Sequence, residues 1–228
     1  MVDVVLFELE GVLFDTQALR RGSLRDACAA HGIDVAPDTD ALPAAPVRAS
    51  VVAALAATRA ASDDVMVDLI ARDAERAFSS RLSLRGVALQ PGARRFIERA
   101  VGNARLAVVT RARRGDAELM LGLSGFDGAF SCVVTADDTL DPPPSPAGIQ
   151  FAFGRLAKQR AVSRAAAVAL ADGADGIRAA RTARIRCVAV GSVPPHIAIE
   201  ADAFVASLGD HTPASIDALS LPGRERVQ

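Results

Sequence analysis

Acidic, hydroxyl and basic side chains stand directly after several apolar runs of the sequence. Glu8 and Glu10 follow the run VVLF, Thr110 and Arg111 follow LAVV, and Asp172 follows VALA. If each run is a strand of one parallel sheet, these side chains meet beyond the carboxyl ends of the strands, where such sheets bind ligands. Converging carboxylates can hold a hard cation such as Mg²⁺, while a hydroxyl, an arginine and helix N-terminal amides can hold a phosphate. The residue types therefore suit phosphoryl transfer.

The elements that must position these residues are predicted from short apolar runs that alternate with helical patterns. Such alternation is typical of a parallel β-sheet covered by helices. Apolar residues recur with helical spacing at Ile149, Ala152, Phe153 and Leu156, which predicts a helix with one buried face. The core is therefore predicted to be α/β. Strands are predicted for Val2–Phe7, Arg105–Val109, Ser131–Val134, Ala166–Ala171, Cys187–Val190 and Ala203–Ala206.

One interval breaks this alternation. From Gln17 to about Arg85 there is no strand pattern, and alanine-rich helical stretches fill the segment. The cap-like residues Ser62, Asp63 and Asp64 predict the start of one of its helices. We predict an inserted all-helical domain over 17–85, with the core formed by 1–16 and 86–228.

Composition excludes several classes of function. Half of the 228 residues are hydrophobic and the net charge is −1, so the chain can bury a full core and shows no preference for nucleic acid or an anionic membrane. Small ligands or protein partners remain. The three cysteines are an odd number without C-x-x-C spacing, which indicates buried reduced thiols and a cytoplasmic location. We expect neither a leader segment nor a membrane span.

Four segments, in order, resemble the motifs of the haloacid dehalogenase (HAD) superfamily. FELEGVLFDT, residues 7–16, is similar to its first motif FDLDGVLFDT with both aspartates replaced. Thr110 resembles the second motif, Ser145-Pro146 the third, whose lysine precedes a proline, and ALADGADGIRAA the fourth. The match covers essentially the whole chain, and the helical insertion corresponds to the small cap of the β-phosphoglucomutase and phosphoglycolate phosphatase branch. The resemblance implies an α/β, HAD-like Rossmannoid core with an inserted small all-helical cap.

The resemblance also implies roles for individual residues. In that family a first aspartate attacks phosphorus, and a second is acid and base and offers its carbonyl to Mg²⁺. A hydroxyl and a lysine hold the phosphate, and a last acidic residue ligates the metal. Arg111, Arg113 and Arg114 follow the run LAVV and could each partly replace the lysine, and the sequence does not decide among them. When these roles are transferred to this sequence, the catalytic residues are Glu8 and Glu10. The phosphate-binding residues are Thr110, Arg111 and Ser145, and the Mg²⁺ ligands are Glu8, Glu10 and Asp172.

The departures from the family pattern concentrate at this site. Glutamate at position 8 moves the attacking oxygen out by about 1.5 Å, and a misplacement of about 1 Å can cost roughly a hundredfold in rate. The lysine position is Ser145, although nearly all basic residues of the chain are arginine, so the charge was not kept there. Ala171 replaces the acidic residue that precedes Asp172 in the family. We therefore expect Mg²⁺ to bind weakly or not at all.

Each of these residues also has a purely structural interpretation. Glu8 and Glu10 can be solvated residues at a strand end, Thr110 a helix cap, and Asp172 the start of a turn. Arg111 can be a solvated charge. These interpretations stay open at the level of the sequence.

Three functions follow, and the first is preferred. In the first, the chain is a phosphatase-like HAD protein on a Mg²⁺-dependent scaffold that is weakly active or inactive and binds a ligand or partner. In the second, it is an active phosphohydrolase of a small phosphomonoester that uses Glu8. In the third, it is a non-catalytic binding or assembly subunit. The stretch Asp38–Arg48, where the family's cap faces the cleft, is rich in alanine and proline. It offers no cluster of aromatic or charged side chains, which favours a small phosphorylated metabolite or no ligand.

Overall fold

The computed structural model describes residues 2–35, 47–60, 63–139 and 141–220. Within it the chain divides into two compact units, one of Met1–Asp15 with Ala88–Gln228 and one of Thr16–Val87. The insertion was predicted at 17–85. Most of the stretch Asp38–Arg48, and Ser62, lie outside the described residues. No helix in the described part of the chain is both long enough and apolar enough to cross a membrane.

The larger unit is built on a parallel sheet of six strands. Their order across the sheet is β5-β4-β1-β6-β7-β8, and two further short strands, β2 and β3, pair antiparallel. The predicted strands are all present, with ends shifted by two residues or fewer. The strands are β1 Val4–Phe7, β2 Phe14–Asp15, β3 Ala88–Leu89, β4 Arg105–Val109, β5 Cys132–Val134, β6 Ala167–Ala171, β7 Arg186–Val190 and β8 Ala203–Val205.

Nine α-helices are described. Three lie in the smaller unit and six in the larger, where they alternate with the strands. A parallel sheet needs such crossovers, and they cover its faces. The helices are α1 Gln17–Ala30, α2 Val47–Thr58, α3 Asp64–Arg85, α4 Ala93–Ala100, α5 Arg114–Ser124, α6 Ala147–Gln159, α7 Ala174–Thr182, α8 Pro195–Ala198 and α9 Pro213–Ser220.

Strand β1 occupies the centre of the sheet. All four of its residues are buried, as expected for a strand covered on both faces. It pairs with β4 on one side and β6 on the other, so that Phe7 lies beside Val108 and Leu170. The three strands therefore end close together at one edge, where the polar residues that follow them are collected.

Helices α6 and α7 cover one face of this sheet. The face predicted for α6 is confirmed, since Ile149, Ala152, Phe153 and Leu156 are all buried against the strands. The first turn of α6 lies close to β4, because a Cβ placed at Gly148 would be 2.9 Å from Cγ1 of Val109. Glycine at this position lets the segment before α6 approach the end of β4.

The smaller unit consists of α1, α2 and α3 around their own core. Helix α3 begins after Asp63, whose carboxylate accepts the N–H of Met66 at 2.8 Å, as predicted for a helix cap. Two side-chain contacts join α1 and the residue that follows it to α3, the ion pair of Arg20 with Glu75 at 3.0 Å and the hydrogen bond between His31 and Asp73 at 2.9 Å. The buried core residues come from all three helices and include Leu24, Cys28, Val51, Leu55, Val67, Ile70 and Ala74.

Candidate active site

Glu8 is the first residue after β1, and its side chain lies against the start of α7. Its backbone N–H donates to the carbonyl of Leu170 at 3.0 Å, which continues the pairing with β6. Its Oε2 accepts the backbone N–H of Asp172 at 3.0 Å. A Cβ placed at Gly176 would lie only 2.2 Å from Oε1, so the carboxyl group fills the space that glycine leaves in the first turn of α7.

Asp172 follows β6 and lies against the loop that follows β1. A Cβ placed at Gly11 would be 1.7 Å from Oδ2 of Asp172, so only glycine allows this approach. Gly11 also has a φ of +78°, a conformation that other residues adopt at a cost. Glu8 and Asp172 are therefore each packed against a glycine of the neighbouring loop or helix.

The two carboxyl groups influence each other's pKa. Burial raises the pKa of Glu8 well above its ordinary value of 4.5, and the Asp172 carboxylate beside it raises that pKa further. Burial also raises the pKa of Asp172, whereas the hydrogen bond from Glu8 lowers it. Two adjacent carboxylates cannot both ionise easily in a partly desolvated site. Burial and the neighbouring carboxyl group therefore disfavour the ionised form of Glu8.

Arg111 brings a positive charge to this pair. Its Nη1 lies 3.3 Å from Oδ2 of Asp175, in the first turn of α7, and the two side chains are only about a third exposed. The guanidinium lowers the pKa of both Glu8 and Asp172. The structure thus places Arg111 beside the carboxyl pair.

Glu10 is near the same pair. It forms an isolated β-bridge with Phe14 and is partly buried. Its negative charge is among the causes that raise the pKa of Asp172. The three acidic residues predicted for metal binding therefore lie in one region of the molecule.

The predicted phosphate-binding hydroxyl groups lie in two neighbouring loops. Oγ1 of Thr110 accepts the N–H of Ala112 at 3.0 Å, and Oγ of Ser145 accepts the N–H of Ala147 at 3.3 Å. Each side chain thus stabilises its own turn. Thr110 is not the helix cap of its structural interpretation, since α5 begins at Arg114 with Arg113 as its N-cap residue. Each hydroxyl still has its hydrogen to donate to a ligand.

Arg114, a second candidate to replace the missing lysine, is bonded to acidic residues outside the site. Its guanidinium pairs with Asp138 at 2.6 Å, and its backbone N–H donates to Asp137 at 2.7 Å. These bonds join the start of α5 to the turn after β5. Arg114 therefore has a structural role, and Arg111 is the better placed of the two arginines.

Three features of the site were not predicted. Asp175 anchors Arg111, and Gly11 and Gly176 make room for Asp172 and Glu8. The sequence ADGADGIRAA contains two of them, but the pattern alone did not separate a ligand-binding acid from an arginine anchor. Which side chain a glycine accommodates depends on tertiary contacts.

The described residues do not fit a Mg²⁺ site. Among them, no group of three or more histidine, cysteine or acidic side chains is close enough to hold a metal ion. One oxygen of Glu8 is bonded to the N–H of Asp172, and Ala171 supplies no further carboxylate. Magnesium requires six oxygen ligands in near-ideal octahedral geometry. Waters usually supply most of that shell, but the one or two protein carboxylates must face the ion, and here Glu8 is already bonded to Asp172 and the described residues form no preformed ligand cluster.

Comparison with known proteins assigns the family. A sequence model described as haloacid dehalogenase-like hydrolase matches residues 5–190. The chain belongs to this family. No curated protein sequence matches it.

Solved structures share the HAD fold over nearly the full length of the chain. CbbY from Rhodobacter sphaeroides in complex with phosphate superimposes with a TM-score of 0.80 at 24% identity, covering 95% of this chain and 100% of that one. A β-phosphoglucomutase from Clostridium difficile gives 0.74 at 18% identity, with 96% and 97% covered. A predicted phosphoglycolate phosphatase from Haemophilus somnus gives 0.78 at 18% identity, with 92% and 96% covered. At these identities the likeness shows the HAD fold.

Proposed function

We propose that this HAD-family protein binds a phosphate group but hydrolyses phosphomonoesters weakly or not at all. One observation carries the proposal: the carboxyl group of Glu8 is bonded to Asp172 and packed on Gly176. A carboxylate nucleophile must be ionised and open to the phosphorus atom. Burial and Asp172 raise the pKa of Glu8 and so disfavour the ionised form, and its carboxyl group is already engaged by Asp172 and Gly176.

Phosphate binding is proposed for the groups around the carboxyl pair. The hydroxyls of Thr110 and Ser145 can donate hydrogen bonds, and Arg111 supplies a positive charge. A small phosphorylated metabolite, or inorganic phosphate, suits this set of donors. The presence of phosphate in the solved structure of CbbY, a protein of the same fold, supports this proposal.

Reversion of the altered positions is the direct test. The variant Glu8→Asp with Glu10→Asp should release phosphate from an aryl phosphate in the presence of Mg²⁺, and adding Ser145→Lys should raise the rate more than additively. Asp172→Ala should abolish the gain, because Asp172 is the remaining metal-binding side chain. A folded triple variant without metal-dependent turnover on a broad phosphomonoester panel would show that the function never depended on these positions.

An active phosphohydrolase that uses Glu8 is the second candidate. The observation in its favour is the position of Arg111, whose charge lowers the pKa of Glu8 and so favours the ionised form. Burial and Asp172 act in the opposite direction and are the larger causes. A phosphate-release assay of the wild type against Glu8→Gln separates the two candidates.

A cytoplasmic location is also proposed. Cys28, Cys132 and Cys187 are all buried and free. Burial raises the pKa of each thiol, so the reactive thiolate is disfavoured. Such thiols are typical of proteins from reducing compartments.

A further inference from the structure

We infer that the guanidinium of Arg111 is the resident cation of this acidic cleft and takes the place of a divalent metal ion there. The inference rests on the proposed function. An arginine in place of the metal ion would neutralise the acidic residues of the cleft in a protein that does not hydrolyse phosphomonoesters efficiently. It concerns a residue that the family motifs do not assign. The geometry of the first turn of α7 carries it.

The first turn of α7 contacts both Arg111 and Glu8. Asp175, which pairs with Arg111 at 3.3 Å, and Gly176, which contacts Glu8, are adjacent residues. The preceding loop supplies Asp172, whose N–H is bonded to Glu8. Arg111 therefore reaches from the end of β4 across the end of β1 to the same turn that Glu8 contacts.

The local concentration of acidic groups favours a cation. Glu8, Glu10, Asp172 and Asp175 bring four carboxyl groups into this region, where Glu8 contacts Asp172 and Arg111 pairs with Asp175. The positive charge that acts on both Glu8 and Asp172 comes from Arg111. A guanidinium is always charged and is more weakly hydrated than an ammonium, which suits it to a partly buried ion pair.

The same carboxyl groups cannot serve Arg111 and Mg²⁺ equally well. A metal ion would need oxygens that are now bonded to the N–H of Asp172 or paired with the guanidinium. It would also be repelled by the fixed positive charge at short range. Removing the charge of Arg111 should therefore allow a divalent ion to bind. Shortening Glu8 to Asp acts in the same direction from the other side, because it releases the bond to the N–H of Asp172 and frees oxygens for the ion even with Arg111 present.

Isothermal titration with MgCl₂ in phosphate-free buffer tests this inference. The wild type should show no saturable binding in the low millimolar range. The variants Arg111→Gln and Arg111→Met should each bind Mg²⁺ at least about tenfold more tightly than the wild type, because a unit charge a few ångströms from the ion is removed. Arg111→Lys, which keeps the charge, should bind as weakly as the wild type.

Arg113→Gln is the matched control. Arg113 is exposed and precedes α5, two residues from Arg111, so its loss changes net charge equally and should leave Mg²⁺ affinity within about twofold of the wild type. Adding Asp172→Asn to Arg111→Gln should abolish the gained binding. Circular dichroism and thermal melting confirm that each variant is folded.

Two results would overturn the inference. Saturable Mg²⁺ binding by the wild type below 1 mM would show that Arg111 does not exclude the metal. A folded Arg111→Gln or Arg111→Met variant with wild-type affinity would show that Arg111 does not act as the cation. Neither result depends on turnover, so failure of the inference is distinct from failure of the proposed function, which a phosphate-release assay decides.

Discussion

Replacing Glu8 with glutamine should stabilise the protein at neutral pH. Glutamine has nearly the same shape as protonated glutamate, its carbonyl can accept the N–H of Asp172, and its amide can donate to the Asp172 carboxylate. The variant thus imitates the state in which the proton resides on Glu8. It also removes a carboxyl group whose ionised form burial disfavours.

The sign of the pH dependence follows from the raised pKa of Glu8. Between its ordinary value of 4.5 and the higher value in the folded state, the folded protein binds more protons than the unfolded chain, so stability falls as the pH rises. Each pKa unit of difference costs about 1.4 kcal/mol once the pH exceeds the folded value. The stabilising effect of Glu8→Gln should therefore be small near pH 4 and grow toward pH 8.

At pH 8 we expect a gain of about 1 to 3 kcal/mol, the range for relieving an imperfectly compensated buried polar group. The assay is urea unfolding followed by circular dichroism at pH 4 to 8, in EDTA so that no metal compensates the carboxyl groups. Glu98→Gln, on the exposed face of α4, is the matched control and should change stability by less than about 0.5 kcal/mol. Equal stability of wild type and Glu8→Gln across this range would refute the raised pKa of Glu8.

Three further predictions concern the scaffold. Gly11→Ala should destabilise the protein by about 1 to 3 kcal/mol more than Gly125→Ala in urea unfolding. Both glycines have a positive φ, but only the Gly11 variant places a Cβ atom on the Asp172 carboxylate. Arg186→Met should cost about 3 to 5 kcal/mol in the same assay, since it breaks a largely buried ion pair with Asp217 on α9 and removes the bonds of the guanidinium to Ala165 and Ser220. Arg181→Met, which removes an exposed ion pair, should cost less than about 1 kcal/mol, and equal losses for the two arginines would contradict the burial argument. Limited proteolysis should cut at the two connections of the helical unit before it cuts any strand of the sheet, and early cleavage within β1 would contradict the predicted domain division.

The parallel sheet could be predicted because each strand carries its own signal. Runs such as Arg105–Val109 are short, apolar and rich in β-branched residues, and the predicted bounds for that run are those observed. The two-residue strands Phe14–Asp15 and Ala88–Leu89 were missed. Two residues are too few to show a period, and this pairing is determined by contacts distant in sequence.

The position of the candidate site could also be predicted, but its internal bonds could not. A parallel sheet collects the residues that follow its strands at one edge, so Glu8 and Asp172 were expected to converge, and a hydrogen bond joins them. Sequence does not fix side-chain direction. It therefore did not show that Arg111 pairs with Asp175, or that Gly176 accommodates the longer side chain of Glu8.

The function of the altered acidic motif can be decided by one assay. Phosphate release should be measured for wild type and Glu8→Gln in millimolar Mg²⁺ on a broad panel of phosphomonoesters, with both proteins shown to be folded. The account predicts that the two proteins are indistinguishable and near background, because Glu8 is held by Asp172 and burial raises its pKa. Turnover by the wild type that Glu8→Gln abolishes would show that Glu8 is a working nucleophile and would contradict the central claim.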